Sequence, residues 1–215
     1  MREIHKGIIT ENMGQIFVVM GKSATGKDTV YKRLIQDTGL ALKTVVPYTT
    51  RPIRSGETDG VEYHFVTTEQ WEAWKQAGKI IESRTYHTML GDWHYFTAAD
   101  GQIRLLEHDY ILIGTLEAYE QIRAYFGKEA VVPVYIELED GERLQRALNR
   151  EKQQQKPRYD ELCRRFLADL EDFSEENVIR CGIQKRYQNE NLDRCVQEIR
   201  EDIEERIVNK HKIML

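Results

Sequence analysis

A glycine-rich segment near the start of the chain has the residue types of a phosphate-binding loop. It follows the apolar run Ile16–Met20 and precedes apolar residues at helical spacing. Glycines let consecutive backbone N–H groups turn toward phosphate oxygens, and the N-terminus of the next helix favours negative charge. The ammonium group of Lys27 would add a point charge at the β- and γ-phosphates. The pattern therefore predicts a nucleoside triphosphate site formed by Gly21, Ser23, Ala24, Thr25, Gly26, Lys27, Asp28 and Thr29.

The residue after Lys27 bears on metal binding. The usual pattern has Ser or Thr at that position, and its hydroxyl binds Mg²⁺, whereas this chain has Asp28. The Asp28 carboxylate would bind the metal directly or through water, or Thr29 would supply the hydroxyl. We therefore expect Mg²⁺ near Asp28 and Thr29.

Two arginines in a second segment are suited to bind another phosphate. Arg51 and Arg54 lie three residues apart, with the hydroxyl of Tyr63 a short distance along the chain. Guanidinium groups hold a phosphate dianion through two parallel hydrogen bonds, which the ammonium of lysine does not. A solvated loop is the ordinary alternative for either arginine taken alone.

A third group of arginines lies in the charged region toward the C-terminal third. Arg146 and Arg150 are four residues apart and so share a face of a predicted helix, and Arg164 and Arg165 follow on the next helix. Phosphoryl transfer requires positioning and neutralisation of the charge on the moving group, which arginines supply. The alternative for each is an exposed charged helix face.

Alternating strands and helices would position these groups. Apolar runs at Ile16–Met20, Tyr110–Ile113 and Val131–Ile136 predict buried strands, and Leu116–Phe126 fits a helix between the last two. This order favours a parallel sheet with crossover helices. A final amphipathic helix is predicted from an apolar stripe formed by Leu192, Cys195, Val196, Ile199, Ile203 and Ile207.

Two regions interrupt this alternation. Between 43 and 97, short stretches such as Val61–Val66 predict half-buried antiparallel strands, and Thr68–Ala77 predicts a helix. The second region is charged and helical from Gly141 to Lys156. Asp160 then caps another predicted helix that reaches about Asp172. The predicted inward residues of that helix are Leu162, Phe166, Leu167 and Leu170.

The composition limits the class of protein. The 215 residues carry 31 Lys and Arg against 36 Asp and Glu, a net charge of −5, which disfavours a nucleic-acid partner. The early apolar run is far shorter than the ~20 residues that span a bilayer, so no membrane partner is expected. Residues 1–6 lead into no signal-peptide core, and the three cysteines have no paired spacing. We expect a single cytoplasmic domain.

The segment Thr49–Phe65 resembles the guanylate kinase family. That family carries T-T-R-x-x-R-x-G-E-x-x-G-x-x-Y-x-F after its glycine loop, and every specified residue is present here. A weaker resemblance extends from about Ile16 to Ile207. It implies a three-layer α/β P-loop kinase fold with a central parallel sheet in one domain (1–215). The implied parts are a core (14–46, 98–141 and 172–210), a small mixed α+β lobe for the nucleoside monophosphate (47–97) and a helical lid (142–171).

The resemblance also implies roles for individual residues. GMP (or dGMP) would be phosphorylated by ATP with Mg²⁺. Lys27 would be catalytic together with the lid arginines that best fit the family's pattern, Arg146, Arg150 and Arg165. Within the lobe, Glu57 would be an acidic partner, Glu82 would bind the guanine edge, and Asn189, near the last helix, would lie near the adenine of ATP. The implied GMP-binding residues are Arg51, Arg54, Glu57, Tyr63, Glu82, Tyr95 and Thr97.

Several positions depart from the family pattern. Pro47 stands where the family usually has serine, and Phe96 stands where it has glycine. The segment Tyr86–Thr97 is longer than the family's loop, and we interpret it as a loop. Ile113-Gly114-Thr115 occupies the place of an acidic Asp-x-Asp. These changes affect base recognition and metal support more than the phosphate clamp.

Two other functions remain open from the sequence. Related small kinases phosphorylate ribose 1,5-bisphosphate, and their glycine loop resembles Gly26-Lys27-Asp28. The complete Thr49–Phe65 segment argues against that acceptor. The other is a non-catalytic guanylate-kinase-like binding module. Such modules typically lack the ATP loop that this chain has.

Overall fold

A computed structural model describes residues 13–54, 56–88 and 91–212. Residues 1–6, which bear on the signal-peptide prediction, lie outside this part. The described strands are β1 Ile16–Met20, β2 Lys43–Thr44, β3 Tyr48–Thr49, β4 His64–Phe65, β5 Ile80–Thr88, β6 Gly91–Ala98, β7 Tyr110–Ile113, β8 Val131–Glu137 and β9 Arg186–Gln188. The described helices are α1 Lys27–Gln36, α2 Thr68–Gln76, α3 Leu116–Phe126, α4 Asp140–Lys152, α5 Tyr159–Asp172, α6 Glu175–Arg180 and α7 Leu192–Lys212.

A five-stranded parallel sheet forms the centre of the molecule. Its strand order is β2-β7-β1-β8-β9, and every neighbouring pair is parallel. The middle strand β1 pairs Val18 with Leu112 of β7 on one side and with Pro133 of β8 on the other. The predicted parallel sheet is therefore confirmed, and β1 delivers the glycine loop at the carboxyl edge of its centre.

Side chains of β1 alternate between two apolar layers. Ile16 and Val18 enter a cluster with α3 and α6, whereas Phe17 and Val19 enter a second cluster with α1 and α7. All five strand residues are fully buried, because helices cover both faces of the sheet. This arrangement confirms the predicted three-layer α/β fold.

The region between 43 and 97 forms a second, four-stranded sheet of order β4-β3-β6-β5. The prediction of antiparallel strands over Val61–Val66 was wrong in part. Only His64–Phe65 is a strand, and it pairs parallel with Tyr48–Thr49. Residues 60–62 form turns, and Gly60 donates its N–H to the carbonyl of Tyr63. A turn this tight leaves only two residues of the stretch extended.

The prediction of a loop over Tyr86–Thr97 was also wrong. Strands β5 and β6 form a long antiparallel hairpin whose register runs from Ile80–Ala98 to Thr88–Gly91. β-Branched and aromatic side chains favour extended backbone there, and they pack across the two strands. The hairpin places Glu82 opposite Thr97 and Arg84 opposite Tyr95.

Helices α4 and α5 pack against each other and are joined by the exposed residues 153–158. The cap predicted at Asp160 was wrong: α5 begins at Tyr159, and Asp160 lies in its first turn, ion-paired with Arg158. Leu162 is buried as predicted, but Leu167 is 65% exposed. None of the helices in the described ranges has the length and apolarity needed to cross a membrane.

Candidate active site

The glycine loop connects β1 to the N-terminus of α1. Gly21 (φ 154°) and Gly26 (φ 88°) have backbone angles that side chains disfavour. A Cβ at Gly21 would also collide with the carbonyl oxygen of Ile136, and one at Gly26 would collide with the amide of Asn189. The Thr25 hydroxyl donates to the Lys22 carbonyl over 2.9 Å, which holds the turn. The loop therefore curls tightly, and helix α1 starts directly behind it.

Asn189 stabilises this loop through a hydrogen bond to its backbone. It is 2% exposed, and its Nδ2 donates to the Thr25 carbonyl over 2.7 Å. Its own carbonyl accepts from Nη2 of Arg146 over 3.0 Å. These contacts join the segment before α7, the glycine loop and the first lid arginine. The predicted role of Asn189 beside adenine stays a prediction.

Lys27, Asp28 and Thr29 form the first turn of α1. The Lys27 Nζ lies 3.9 Å from Oδ2 of Asp28, and the Asp28 side chain is 69% exposed. Thr29 is exposed as well. Mg²⁺ prefers oxygen ligands and is usually held by one or two protein groups together with phosphates and waters. A carboxylate and a hydroxyl beside a phosphate loop fit that requirement. Within the described ranges, no group of three His, Cys, Asp or Glu side chains forms a metal site.

In the connection between β3 and β4, Arg51 and Glu57 form a bidentate ion pair. The Arg51 Nη1 and Nη2 atoms lie 2.7 and 2.5 Å from the Glu57 carboxylate oxygens, and the Arg54 backbone N–H donates to the same group. Arg51 is 4% exposed and lies over the rings of Tyr63 and Phe65. Arg51 lowers the pKa of Glu57 to about 2, so the pair stays charged at neutral pH. The side chain of Arg54 is exposed.

Glu82 and Thr97 form a buried polar pair in the hairpin. The Thr97 hydroxyl donates to Oε1 of Glu82 over 2.9 Å, and the two residues are 3% and 2% exposed, respectively. Arg84 donates from Nε to Oε2 over 3.2 Å. Burial raises the pKa of Glu82, although Arg84 and Thr97 act in the opposite direction. Arg84 was not predicted; its place two residues from Glu82 on one strand was the available signal.

Tyrosine rings line the space next to this polar pair. The Tyr63 and Tyr95 rings are 5.6 Å apart, and the Tyr86 and Tyr95 rings are 5.4 Å apart, both edge to face. Tyr95 also interacts with Arg51. The hairpin and the arginine segment thus bring Arg51, Glu57, Tyr63, Glu82, Tyr95 and Thr97 onto one lobe.

The lid arginines approach the glycine loop from α4 and α5. Arg150 and Arg165 line a small cavity that also includes Ser23. In this conformation Arg165 donates to the carbonyl of Glu161 on its own helix. The arginines and the loop therefore lie on the same side of the central sheet.

Arg143, which the sequence did not single out, anchors the lid to the loop. Its side chain is 1% exposed; Nε donates to Asp140 over 2.8 Å, and Nη1 donates to the Ser23 carbonyl and to Asp169. Asp169 also accepts the N–H of Ser23 over 2.8 Å. The i,i+3 spacing of Asp140 and Arg143 was the only sequence signal.

The positions that depart from the expected pattern have structural uses. Phe96 is fully buried and stacks on Tyr48. The carbonyl of Pro47 accepts the N–H of His64, which fixes the start of β4. Thr115 caps α3 by accepting the N–H of Ala118. The strand end where the family pattern has an acidic pair therefore carries a helix cap in this chain.

Comparison with known proteins gives consistent matches. The family model described as guanylate kinase matches residues 13–206. A guanylate kinase of Schizosaccharomyces pombe is 46% identical over 65 residues, 30% of this chain and 32% of that protein. One from Neisseria meningitidis is 36% identical over 112 residues, 51% of this chain and 52% of that protein. These alignments thus span from a third to about half of the relatives' length.

A solved structure is similar over most of the chain. The crystal structure of guanylate kinase from Anaplasma phagocytophilum has a TM-score of 0.58 and 20% sequence identity. The alignment covers 90% of this chain and 86% of that one. At this identity the similarity establishes the shared fold.

Proposed function

Since this chain belongs to the guanylate kinase family, we propose that it transfers the γ-phosphoryl group of ATP to GMP, giving ADP and GDP. The observation that carries the choice of GMP is the buried Glu82–Thr97 pair, 2% and 3% exposed, beside the Arg51–Glu57 clamp. A carboxylate accepts hydrogen bonds from the N1–H and amino group of guanine. Adenine presents no such donor pair at that edge, and a site with matched polar groups rejects it. The deoxy nucleotide dGMP carries the same base.

The proposed division of labour follows the two sheets and the helical pair. The lobe at 47–97 binds GMP, with Arg51, Arg54, Tyr63 and Tyr95 around its phosphate. Tyr95 and Tyr63 are already within ring contact, and Arg51 lies over Tyr63. Because the GMP phosphate is already ionised, it attacks in line without a general base.

Charge neutralisation then falls to groups around the glycine loop. Lys27, Arg146, Arg150 and Arg165 balance the charge on the transferred phosphoryl, the last three from the lid at 142–171. Before the nucleotides bind, Arg146 and the glycine loop are both hydrogen-bonded to Asn189. Asp28 and Thr29 are the residues that would hold Mg²⁺ bound with ATP, and the ion would supply positive charge that offsets the charge of the triphosphate.

We also propose a cytoplasmic enzyme whose partners are nucleotides. The three cysteines are free thiols, and Cys181 and Cys195 are buried in the apolar layers. Reduced cysteines of this kind are typical of intracellular proteins.

The decisive experiment measures ADP formation from ATP and Mg²⁺ with separate acceptors: GMP, dGMP, AMP, UMP, CMP and ribose 1,5-bisphosphate. We expect turnover with GMP and dGMP. Turnover with only ribose 1,5-bisphosphate would show that the acceptor is the sugar bisphosphate and not GMP. If none of the six acceptors gave ADP, a non-catalytic binding module would be favoured.

A variant ties the activity to the described site. Arg51→Ala should raise the KM for GMP about ten- to a hundredfold, because charge-assisted hydrogen bonds to phosphate are lost. The matched control is Arg104→Ala, since Arg104 is an exposed arginine outside the lobe and lid. Equal KM values for the two variants would contradict the clamp.

A further inference from the structure

We infer that Arg84 is a specificity-determining residue, whose guanidinium donates a hydrogen bond to the oxygen at position 6 of the acceptor base. This inference rests on the proposed function and deepens it, because it restricts the acceptor to 6-oxopurine nucleotides. Glu82 and Arg84 would together read one edge of the base, Glu82 accepting and Arg84 donating.

The position of Arg84 on the hairpin places it at the base pocket. Residues two apart on a strand share a face, and the ion pair between Nε of Arg84 and Oε2 of Glu82 spans 3.2 Å. A register shift between Ile80 and Glu82 directly precedes this face. Arg84 lies opposite Tyr95 in the hairpin.

Arg84 is the more accessible member of its ion pair with Glu82. The Glu82 side chain is 2% exposed, whereas that of Arg84 is 16% exposed. Because the two groups are in contact, a base edge that reaches the carboxylate would meet the guanidinium at the same time. When the base binds, the guanidinium must either share the Glu82 carboxylate with it or release this contact and bind the adjacent atom of the base.

The two terminal nitrogens of Arg84 are available to donate hydrogen bonds to a ligand. Its Nε is bound to Glu82, and no acceptor among the residues that the structure describes lies within hydrogen-bond distance of its two terminal nitrogens. The phenols of Tyr63 and Tyr86 lie near this guanidinium.

The chemistry of purine bases matches this pair. Guanine presents, side by side, an acceptor (O6) and two donors (N1–H and the 2-amino group). Glu82 accepts from the donors, and the adjacent Arg84 donates to O6. Adenine presents an amino group at position 6, which would face the N–H groups of Arg84 donor to donor. Hypoxanthine keeps the oxygen at position 6 and lacks the 2-amino group, so IMP separates the two contributions.

The test compares GMP, IMP and AMP with wild type, Arg84→Ala and Arg84→Lys. Calorimetry measures affinity, and ADP formation measures kcat and KM. We expect Arg84→Ala to weaken GMP and IMP equally, by about ten- to a hundredfold, while AMP changes less than twofold. Arg84→Lys should recover part of the loss because it keeps a cationic donor. The kcat at saturating GMP should stay near the wild-type value, and Arg104→Ala serves as the control.

Each outcome bears on the inference separately from the proposed function. Equal losses for GMP, IMP and AMP would show that Arg84 only supports the pocket, and unchanged GMP affinity would also overturn the inference. A wild-type protein that forms no ADP from GMP overturns the proposed reaction. In that case, calorimetric preference for GMP and IMP over AMP, lost in Arg84→Ala, would still support base reading by Arg84. Wild type that binds none of the three nucleotides overturns both.

Discussion

Lys27 is the first residue of α1, directly after the loop glycine Gly26, and its side chain is 21% exposed. Its ammonium group has no role in either apolar layer, so we expect Lys27→Ala to keep the fold. Loss of one electrostatic group at a transferring phosphoryl should lower kcat about 10²- to 10³-fold. Steady-state ADP formation measures the effect, and circular dichroism checks the fold.

Lys32→Ala is the matched control, because Lys32 is an exposed lysine on the same helix. It should keep wild-type turnover. If Lys27→Ala also turned over at a near-normal rate, the glycine loop would not be the site of phosphoryl transfer.

Glu82 gives the site a dependence on pH. Burial raises the pKa of its carboxyl, with Arg84 and Thr97 opposing, so Glu82 gains its proton above the ~4.3 of an unperturbed glutamate. The ionised form is the one that accepts from guanine. As pH falls through the raised pKa, Glu82 becomes neutral, and the KM for GMP should rise. Glu57 stays ionised over that range because its pKa is about 2.

The measurement is the KM for GMP between pH 8 and pH 4.5. The GMP phosphate itself titrates near pH 6, so Glu82→Gln is needed as the reference. The variant keeps the step due to the phosphate and loses the one due to the carboxyl. Superimposable profiles for the two proteins would show that Glu82 does not contact the base in its ionised form.

At the level of elements, Arg143 determines how the lid meets the core. It joins α4, α5 and the glycine loop through Asp140, Asp169 and Ser23, and its guanidinium lies 4.6 Å from the centre of the Phe166 ring. Removing one partner of a buried ion pair leaves the other charge uncompensated. Arg143→Ala should therefore lower the free energy of unfolding by about 3–5 kcal/mol.

Urea denaturation measures the free energy of unfolding of Arg143→Ala, with Arg33→Ala as the control. The Arg33–Asp193 pair is exposed, at 49% and 81%, so its loss should cost less than about 1 kcal/mol. Similar midpoints for the two variants would mean that the Arg143 network contributes no more than a surface pair.

The same elements show which features the sequence predicts. Leu116–Phe126 was predicted to the residue, because its apolar period and its flanking residues are local signals. The lobe was predicted less well, since the β3–β4 pairing joins segments separated by a turn and the hairpin depends on packing across its strands. The glycine loop was predicted because the phosphate-binding pattern has a fixed spacing. Arg84 and Arg143 were missed because their spacing to Glu82 and Asp140 is a weak signal, and their other contacts depend on the fold.

Over the whole molecule, charge is distributed unevenly around the site. The chain has a net charge of −5, which opposes the approach of anionic nucleotides. The proposed site nevertheless collects arginines from three parts of the fold: the lobe, α4 and α5. The arginines must therefore create a local positive potential at the glycine loop that attracts ATP and GMP despite the negative net charge. When both nucleotides are bound, their phosphates should in turn attract the arginines.

This distribution leads to a prediction about closure. Arg146 and Arg165 are bound to protein carbonyls in this structure, so they must leave these partners to reach two nucleotides. We expect the exposed connection 153–158 to move with them, and trypsin has sites at its ends after Lys152 and Arg158. A non-hydrolysable ATP analogue together with GMP should slow cleavage there about tenfold, because cleavage follows the population of the open form. Mass spectrometry of the fragments identifies the cut.

Either nucleotide alone should protect much less, since each supplies only part of the phosphate charge that attracts the lid. Lys27→Ala, which weakens the hold on the triphosphate, should reduce the protection given by the pair. Full protection by one nucleotide would mean that closure does not require both substrates, and unchanged cleavage with the pair would mean that α4 and α5 do not close.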